Sequence, residues 1–126
     1  MYKFGKTSKK KLEGVHPDII KVLDELIKLM DVTVVEGLRT QERQNKLYAD
    51  GASKTTKSKH ILGKAVDIAP YPINWDDKEH FYYMCGMIRG IAHSLGIKIR
   101  VGADWDSDGK IRDQEFDDLV HFELLD

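Results

Sequence analysis

Apolar residues recur at helical spacing between Pro17 and Met30, and this pattern predicts an amphipathic helix. Pro17 suits the first helical turn, where its missing N–H would have no partner within the helix in any case. The run Val32–Val35 that follows is short and β-branched, which predicts a strand. The apolar positions of the helix are Ile19, Val22, Leu23, Leu26, Ile27 and Met30.

The rest of the chain alternates further short elements with polar turns. Thr40 is a typical N-cap for a second helix, and Gly96 a typical stop for a third and longest one. A polar loop covers residues 52–59 and acidic residues crowd positions 104–118. The predicted elements are a helix from Thr40 through Tyr48 ended by Asp50-Gly51, a strand at Ala65–Ala69 broken by Pro70 and Pro72, a helix from Asp76 or Asp77 to about His93, and strands at Ile97–Val101 and around Val120–Leu124.

This order of helices and short strands has no regular βαβ rhythm. It predicts an α+β protein with a small, largely antiparallel sheet flanked by helices. A chain of 126 residues without repeats or a long linker is expected to form a single domain over residues 1–126. A monomer is the default expectation.

Composition and charge exclude several classes of function. With 41% hydrophobic and 33% charged residues the chain suits a folded, fairly polar protein. Its formal net charge of -1 gives no strong attraction to nucleic acid or to a membrane. The N-terminal lysines are either a solvated surface or a weak site for an anionic cell envelope. They are Lys3, Lys6, Lys9, Lys10 and Lys11.

Three observations on the sequence bear on the cellular location of the protein. Cys85 is the single cysteine, so no internal disulfide forms, and its apolar helical surroundings predict a buried thiol. The lysine-rich start does not resemble a signal peptide, and no stretch is long and apolar enough to span a bilayer. We therefore expect the protein to be made and kept in the cytoplasm unless another agent releases it.

Two short stretches contain residue types that bind metal. Ser58–Asp67 places His60 at the end of a loop and Asp67 on the following strand, with Gly63 as a turn between them. Downstream, Asp118 precedes His121 by three residues. Catalytic zinc is typically held by three histidine or carboxylate ligands and keeps an open position for water.

Taken together, S-x-H-x-x-G-x-A-x-D at 58–67 and D-x-x-H-F-E at 118–123 resemble the VanY-type zinc peptidases. That family includes D-Ala-D-Ala carboxypeptidases, vancomycin-resistance D,D-dipeptidases and phage L-alanyl-D-glutamate endolysins. The resemblance also covers Gly37–Thr40 and Gly102–Trp105, and the short endolysins are the most similar in length. It implies the Hedgehog/D,D-peptidase fold and zinc-dependent hydrolysis of peptidoglycan stem peptides during host lysis by a bacteriophage.

The resemblance also implies roles for individual residues. His60, Asp67 and His121 would bind zinc, and Asp118 would act as general base, although many members carry Glu there. Arg39 would stabilise the developing oxyanion, the alternative being a surface salt bridge.

Two further residues of these motifs are candidates for binding or positioning roles. Ser58 either hydrogen-bonds the substrate or shapes the loop. Glu123 is expected to contact a histidine ligand on its side away from the metal.

A second metal pattern lies between the two zinc stretches. Residues 104–115 fit the calcium-loop pattern D-x-D-x-D-G-x5-E in full. Arg112 and the strand-like flanks depart from a standard EF-hand, and an acidic exposed loop is the alternative. The candidate calcium ligands are Asp104, Asp106, Asp108, the Lys110 carbonyl and bidentate Glu115.

The calcium pattern ends three residues before Asp118, so bound Ca²⁺ is expected to order the segment that carries the catalytic base. Some endolysins of the family are calcium-dependent, which points the same way. Two alternatives to L-alanyl-D-glutamate hydrolysis stay open. One is a D,D-carboxypeptidase or dipeptidase, and the other is a non-catalytic calcium-binding or wall-binding module.

Overall fold

The computed structural model describes residues 2–53, 55–102 and 119–125. Within these residues the chain forms four helices and four strands. In chain order they are α1 (Lys6–Lys11), α2 (Pro17–Leu29), β1 (Val32–Glu36), α3 (Gln41–Ala49), β2 (Ala65–Pro70), α4 (Lys78–Leu95), β3 (Ile99–Val101) and β4 (His121–Leu124).

The three predicted helices are confirmed, and side chains cap each of them. Thr40 Oγ1 accepts a hydrogen bond from the Arg43 amide at the start of α3, and Asp77 accepts one from the His80 amide at the start of α4. The α2 cap was not predicted: His16 Nδ1 accepts from the Asp18 amide at 3.0 Å. Each of these three helices therefore begins where a side-chain acceptor satisfies one of its free N–H groups.

Two details of the sequence prediction were wrong. The strand expected from Ile97 begins at Ile99, because the Ile97 amide donates to the Ala92 carbonyl at 2.9 Å. That bond belongs to a Schellman motif closing α4, in which Gly96 adopts φ 72°. In addition, α1 forms in the lysine-rich N-terminus, where the sequence pattern predicts no helix.

The four strands form one antiparallel sheet in the order β1-β2-β4-β3. The expected small antiparallel sheet is thus confirmed. Alternation of side chains gives the sheet one apolar face and one polar face. On β4, for example, Phe122 and Leu124 belong to the hydrophobic core, whereas His121 and Glu123 point to the other side.

The hydrophobic core lies on the apolar face of the sheet. Helix α2 packs against α4, and α4 packs against β2 and β3. The predicted apolar positions of α2 are all buried there, together with Cys85 of α4. The Cys85 thiol donates a hydrogen bond to the Leu119 carbonyl at 3.3 Å, which ties α4 to the start of β4.

A β-bulge interrupts the pairing of β1 with β2. Val34 pairs with Ile68 and Glu36 with Asp67, so Val35 is the extra residue. The bulge changes which side chain stands opposite Asp67. As a result, the carboxylate of Glu36 joins the polar face of the sheet.

Helix α1 lies against β1. Its buried Ser8 accepts a hydrogen bond from the Val34 amide at 3.1 Å and shares another with the Thr33 hydroxyl. The approach is close, since a Cβ on Gly37 would lie 1.9 Å from the Lys11 carbonyl oxygen. Only a glycine at position 37 leaves room for the end of α1.

Gly63 is expected to be essential for the stability of the turn that follows His60. It has φ 70°, and an added Cβ would meet the Gly14 carbonyl oxygen at 2.4 Å. Gly63→Ala should lower the free energy of unfolding by about 3 kcal/mol, through backbone strain plus this clash. Chemical denaturation followed by circular dichroism measures the change.

Gly51→Ala is the matched control for this substitution. Gly51 has a similar φ of 78°, but nothing lies within 4 Å of an added Cβ. We expect a loss of about 1 kcal/mol, from the backbone conformation alone. If Gly63→Ala and Gly51→Ala lowered the free energy of unfolding equally, the close approach of Gly14 would not restrict the residue at position 63.

Candidate metal centre

Three side chains on the polar face of the sheet form a compact cluster of possible metal ligands. One ligand atom from each of His60, Asp67 and His121 lies within 4.8 Å of the other two. Asp67 Oδ1 is 3.2 Å from His60 Nε2 and 3.3 Å from His121 Nδ1. The structure therefore brings together the three residues that were expected to bind zinc.

Strand pairing and one turn position these ligands. Asp67 of β2 is the direct antiparallel partner of His121 of β4, so their side chains leave the sheet on the same face. His60 reaches the same point from the turn before β2. The His60 carbonyl accepts from the Arg39 amide at 3.0 Å, and the Gly63 carbonyl accepts from the His16 amide at 2.8 Å.

Hydrogen bonds select the nitrogen that each imidazole presents to the cluster. His60 Nδ1 donates to the Gly37 carbonyl at 2.9 Å, which leaves Nε2 facing Asp67. His121 is turned the other way: its Nε2 lies 2.8 Å from Glu123 Oε1, so Nδ1 faces the cluster. Metal-binding histidines typically make such outer hydrogen bonds, and Glu123 contacts a ligand histidine as expected.

Glu123 is itself held in place by two cations. Its Oε2 lies 3.3 Å from Lys59 Nζ and 3.1 Å from Arg100 Nη2. Burial would raise the pKa of Glu123, but the hydrogen bond to His121 and the charges of His121, Arg100 and Lys59 lower it to about 2. Glu123 is thus a carboxylate at neutral pH and accepts a hydrogen bond from His121 Nε2, which fixes the orientation of the ring.

The donor set fits a divalent metal such as zinc. Two neutral imidazoles and one carboxylate are typical ligands of catalytic zinc, and a tetrahedral ion would space them about 3.3 Å apart. Burial would raise the pKa of Asp67, yet the hydrogen bonds and charges of His121 and His60 hold it well below its usual range. Asp67 is therefore ionised and ready to bind a cation.

Arg39 lies at the wall of the same site. Its Nη2 is 3.9 Å from Asp67 Oδ2, while Nε donates to Glu36 and Nη1 to Gln44 Oε1. The side chain is only 10% exposed, which is unlike a surface salt bridge. Burial would raise the pKa of Glu36, but its hydrogen bond and ion pair with Arg39 lower it.

Ser58 shapes the loop that carries His60. Its hydroxyl accepts a hydrogen bond from the His60 amide at 3.2 Å, and the residue also lines a cavity of about 630 Å³ around the ligand cluster. This position is compatible with both roles considered for Ser58. Asp118 and the calcium pattern at 104–115 lie outside the described residues.

Comparison with known proteins adds an independent line of evidence. The sequence profile of the family described as phage L-alanyl-D-glutamate peptidase matches residues 1–125. This chain belongs to that family. In the described residues of this family member, no helix is both long and apolar enough to cross a membrane.

Two relatives illustrate the family membership. The chain is 40% identical over 121 residues to the L-alanyl-D-glutamate peptidase of Escherichia phage T5, covering 90% of this chain and 88% of the relative. The crystal structure of the L-Ala D-Glu endopeptidase ChiX from Serratia marcescens superposes with a TM-score of 0.81 at 29% identity. That match covers 98% of this chain and 90% of ChiX, and it confirms the expected Hedgehog/D,D-peptidase fold.

Sequence reasoning missed several residues of this peptidase-family site. Glu36 and Gln44 hold Arg39, while Lys59 and Arg100 hold Glu123. The alternation of β4 signals that Glu123 shares a face with His121. The other four contacts depend on the bulge, on the strand order and on the fold of the 52–59 loop, for which the sequence carries no comparable pattern.

Proposed function

We propose that this protein is a zinc-dependent phage endolysin that hydrolyses the L-alanyl-D-glutamate bond of peptidoglycan stem peptides. The observation that carries the proposal is the cluster of His60, Asp67 and His121 in a chain of this family. The names of the two relatives support the choice of bond. We propose zinc as the metal because its usual ligands match this donor set.

The proposal assigns one role to each residue of the site. Bound zinc would supply Lewis-acid polarisation of the scissile carbonyl and of a water molecule. His60, Asp67 and His121 would hold the ion, and Glu123 and the Gly37 carbonyl would fix the two imidazole rings. Because both rings and Asp67 are oriented before substrate arrives, little reorganisation would be needed during the reaction.

Asp118 and Arg39 would handle the proton and the developing charge. Asp118 would take a proton from water as the remaining hydroxide forms the new C–O bond. It would then pass that proton to the leaving amine when the C–N bond breaks. Arg39, already beside Asp67, would stabilise the negative charge on the carbonyl oxygen, and Ser58 would contact the peptide.

The test is mass spectrometry of fragments released from purified Gram-negative peptidoglycan by the zinc-loaded protein, with calcium present. We expect stem peptides that begin at D-glutamate, with L-alanine left on the glycan. His121→Ala is the control and should release none. Free D-alanine would instead indicate a D,D-carboxypeptidase, and no product would indicate a binding module.

We further propose that calcium binding at residues 104–115 switches the enzyme on. Four carboxylates of this pattern would repel one another if drawn together without a cation, and the pattern ends three residues before Asp118. Low cytoplasmic calcium would keep the enzyme idle until another agent of lysis admits it to the cell wall. Calcium would then order the segment that carries the base.

Calcium removal is expected to lower the rate of stem-peptide release by at least about tenfold. The rate on purified cell wall is compared in millimolar calcium and in excess calcium-specific chelator with zinc restored. Asp108→Asn together with Glu115→Gln should give the low rate in both conditions. Equal rates for the unmodified protein in both conditions would contradict the switch.

A further inference from the structure

The cavity around the ligand cluster has a predominantly basic lining. Among the described residues, five basic side chains and three carboxylates face it. Such a lining favours an anionic ligand, and a bound divalent metal would add to this preference. The basic residues are Arg39, Arg43, Lys57, Lys59 and Arg100, and the carboxylates are Glu36, Asp67 and Glu123.

Three of the five basic residues already serve the site itself. Lys59 and Arg100 hold the buried carboxylate of Glu123, and Arg39 is buried between Glu36 and Gln44. Arg43 differs, because 56% of its side chain is exposed. Lys57 is likewise exposed. These two residues are therefore the basic groups that face an incoming ligand.

Arg43 is oriented by one contact. Its Nε lies 3.4 Å from Glu36 Oε1, the same oxygen that pairs with Arg39 Nε. Within the described residues, the only hydrogen bond or ion pair of Arg43's side chain is this one at Nε, and its two Nη groups form the outer edge of the guanidinium. A guanidinium held along one edge presents two parallel N–H donors on another, an arrangement suited to a carboxylate.

Hydrogen bonds bring Lys57 to the same wall as Arg43. Gln41, in the first turn of α3, donates to the Thr56 carbonyl at 2.8 Å. One turn later, Gln44 donates to the Thr55 carbonyl at 2.6 Å. The backbone at Thr55 and Thr56, just before Lys57, is therefore hydrogen-bonded to α3, the helix that carries Arg43, and both cations line the cavity.

The substrate class of the proposed function carries a matching charge, so this inference rests on that function. A glutamate residue acylated on its amine has two carboxyl groups, and the peptide continues through only one of them. The other remains a carboxylate a few bonds from the scissile nitrogen. We propose that Arg43, together with Lys57 of the same cavity lining, forms a subsite that binds this free carboxylate of D-glutamate.

The subsite would give the enzyme a way to choose its bond. A scissile amide between two uncharged residues, such as two alanines, has no free carboxylate at the corresponding position. The exception is an amide bond to the last residue of the peptide, whose C-terminal carboxylate is free. Binding of the carboxylate by Arg43 would fix the register of the stem peptide relative to the metal. A specificity determinant of this kind acts mainly on KM, since the contact forms before bond cleavage begins.

The test uses two synthetic stem peptides that differ in one group. Both contain the L-alanyl-D-glutamate bond, and the free glutamate carboxylate of one is a carboxamide in the other. We expect the unmodified, zinc-loaded protein with calcium to cleave the carboxylate peptide with a kcat/KM about tenfold higher, mostly through KM. Arg43→Gln should remove this preference, because it lowers kcat/KM for the carboxylate peptide much more than for the carboxamide peptide.

Matched variants separate recognition from general effects of charge. Lys46→Gln removes an exposed positive charge from the same helix, one turn beyond Arg43 and outside the cavity lining, and should leave the preference intact. Lys57→Gln should lower the preference by about threefold. Both measurements use chromatography of the released peptide that begins at D-glutamate or its amide.

Two results would overturn the subsite. Either the unmodified protein cleaves both peptides equally well, or Arg43→Gln slows both by the same factor, as damage to Arg39 or Glu36 would. In either case cleavage at L-alanyl-D-glutamate still stands. If the unmodified protein cleaves neither peptide, the proposed function itself fails, and the subsite with it.

Discussion

His60→Ala is expected to abolish zinc binding and to lower kcat/KM for stem-peptide release by about 10⁴-fold or more. His60 offers one of the three candidate ligand atoms, and its ring is 2% exposed and fixed by the Gly37 carbonyl. Alanine leaves two ligands and an open coordination sphere that water would fill. Zinc content after dialysis and the rate of peptide release measure the two effects separately.

The control for this variant is His80→Ala. His80 is exposed at the start of α4 and is not part of the ligand cluster, so both zinc content and rate should be unchanged. Thermal unfolding of the zinc-free variants shows whether His60→Ala still folds. One equivalent of zinc retained by a folded His60→Ala protein would contradict the assignment of His60 as a ligand.

Asp118→Asn is expected to lower kcat by about 10²- to 10⁴-fold while leaving zinc content at one equivalent. An amide of the same size cannot accept the proton from water, but it removes no metal ligand. The combination of full zinc and lost activity distinguishes a general base from a fourth ligand. Fragment release from purified peptidoglycan and zinc content of the same sample are the measurements.

Asp118→Glu completes this comparison. Many members of the wider VanY-type family carry Glu at the corresponding position, so activity should stay within about tenfold of the unmodified protein. Restored activity in Asp118→Glu together with its loss in Asp118→Asn identifies proton transfer as the missing step. An Asp118→Asn protein as active as the unmodified one would mean that another group takes the proton.

Regular periodicity made most of the fold predictable from sequence. Helix α2 and the ligand strand β2 follow from apolar spacing and from proline and glycine signals, which act locally. Helix α1 was missed because Lys6–Lys11 has no apolar stripe, and the single buried Ser8 supports it through β1. The His16 cap was missed because histidine is not among the usual capping residues.

Within the candidate site, the residues that could be predicted from the sequence are those that belong to the two motifs. His60, Asp67 and His121 could be chosen because the motif fixes their spacing. The contacts of Glu123 with Lys59 and Arg100 could not be predicted, because they link residues far apart in the chain. Glu36 and Gln44 are near Arg39 in the sequence, but their contacts with it depend on the β-bulge and on the start of α3, which no motif indicates. Arg100 and Glu123, for example, are opposite one another only because β3 pairs with β4 at the end of the sheet.

The contact between α1 and β1 has a consequence for the behaviour of the protein at high concentration. β1 is an outer strand of the sheet, and the outer strand of any sheet can pair with a strand of another molecule. Ser8 Oγ accepts the hydrogen bond of the Val34 amide, so this amide is not available to a strand of another molecule. The lysines of α1 add positive charge to the same region. The N-terminal helix thus covers part of this sheet edge and limits self-association and aggregation of the protein.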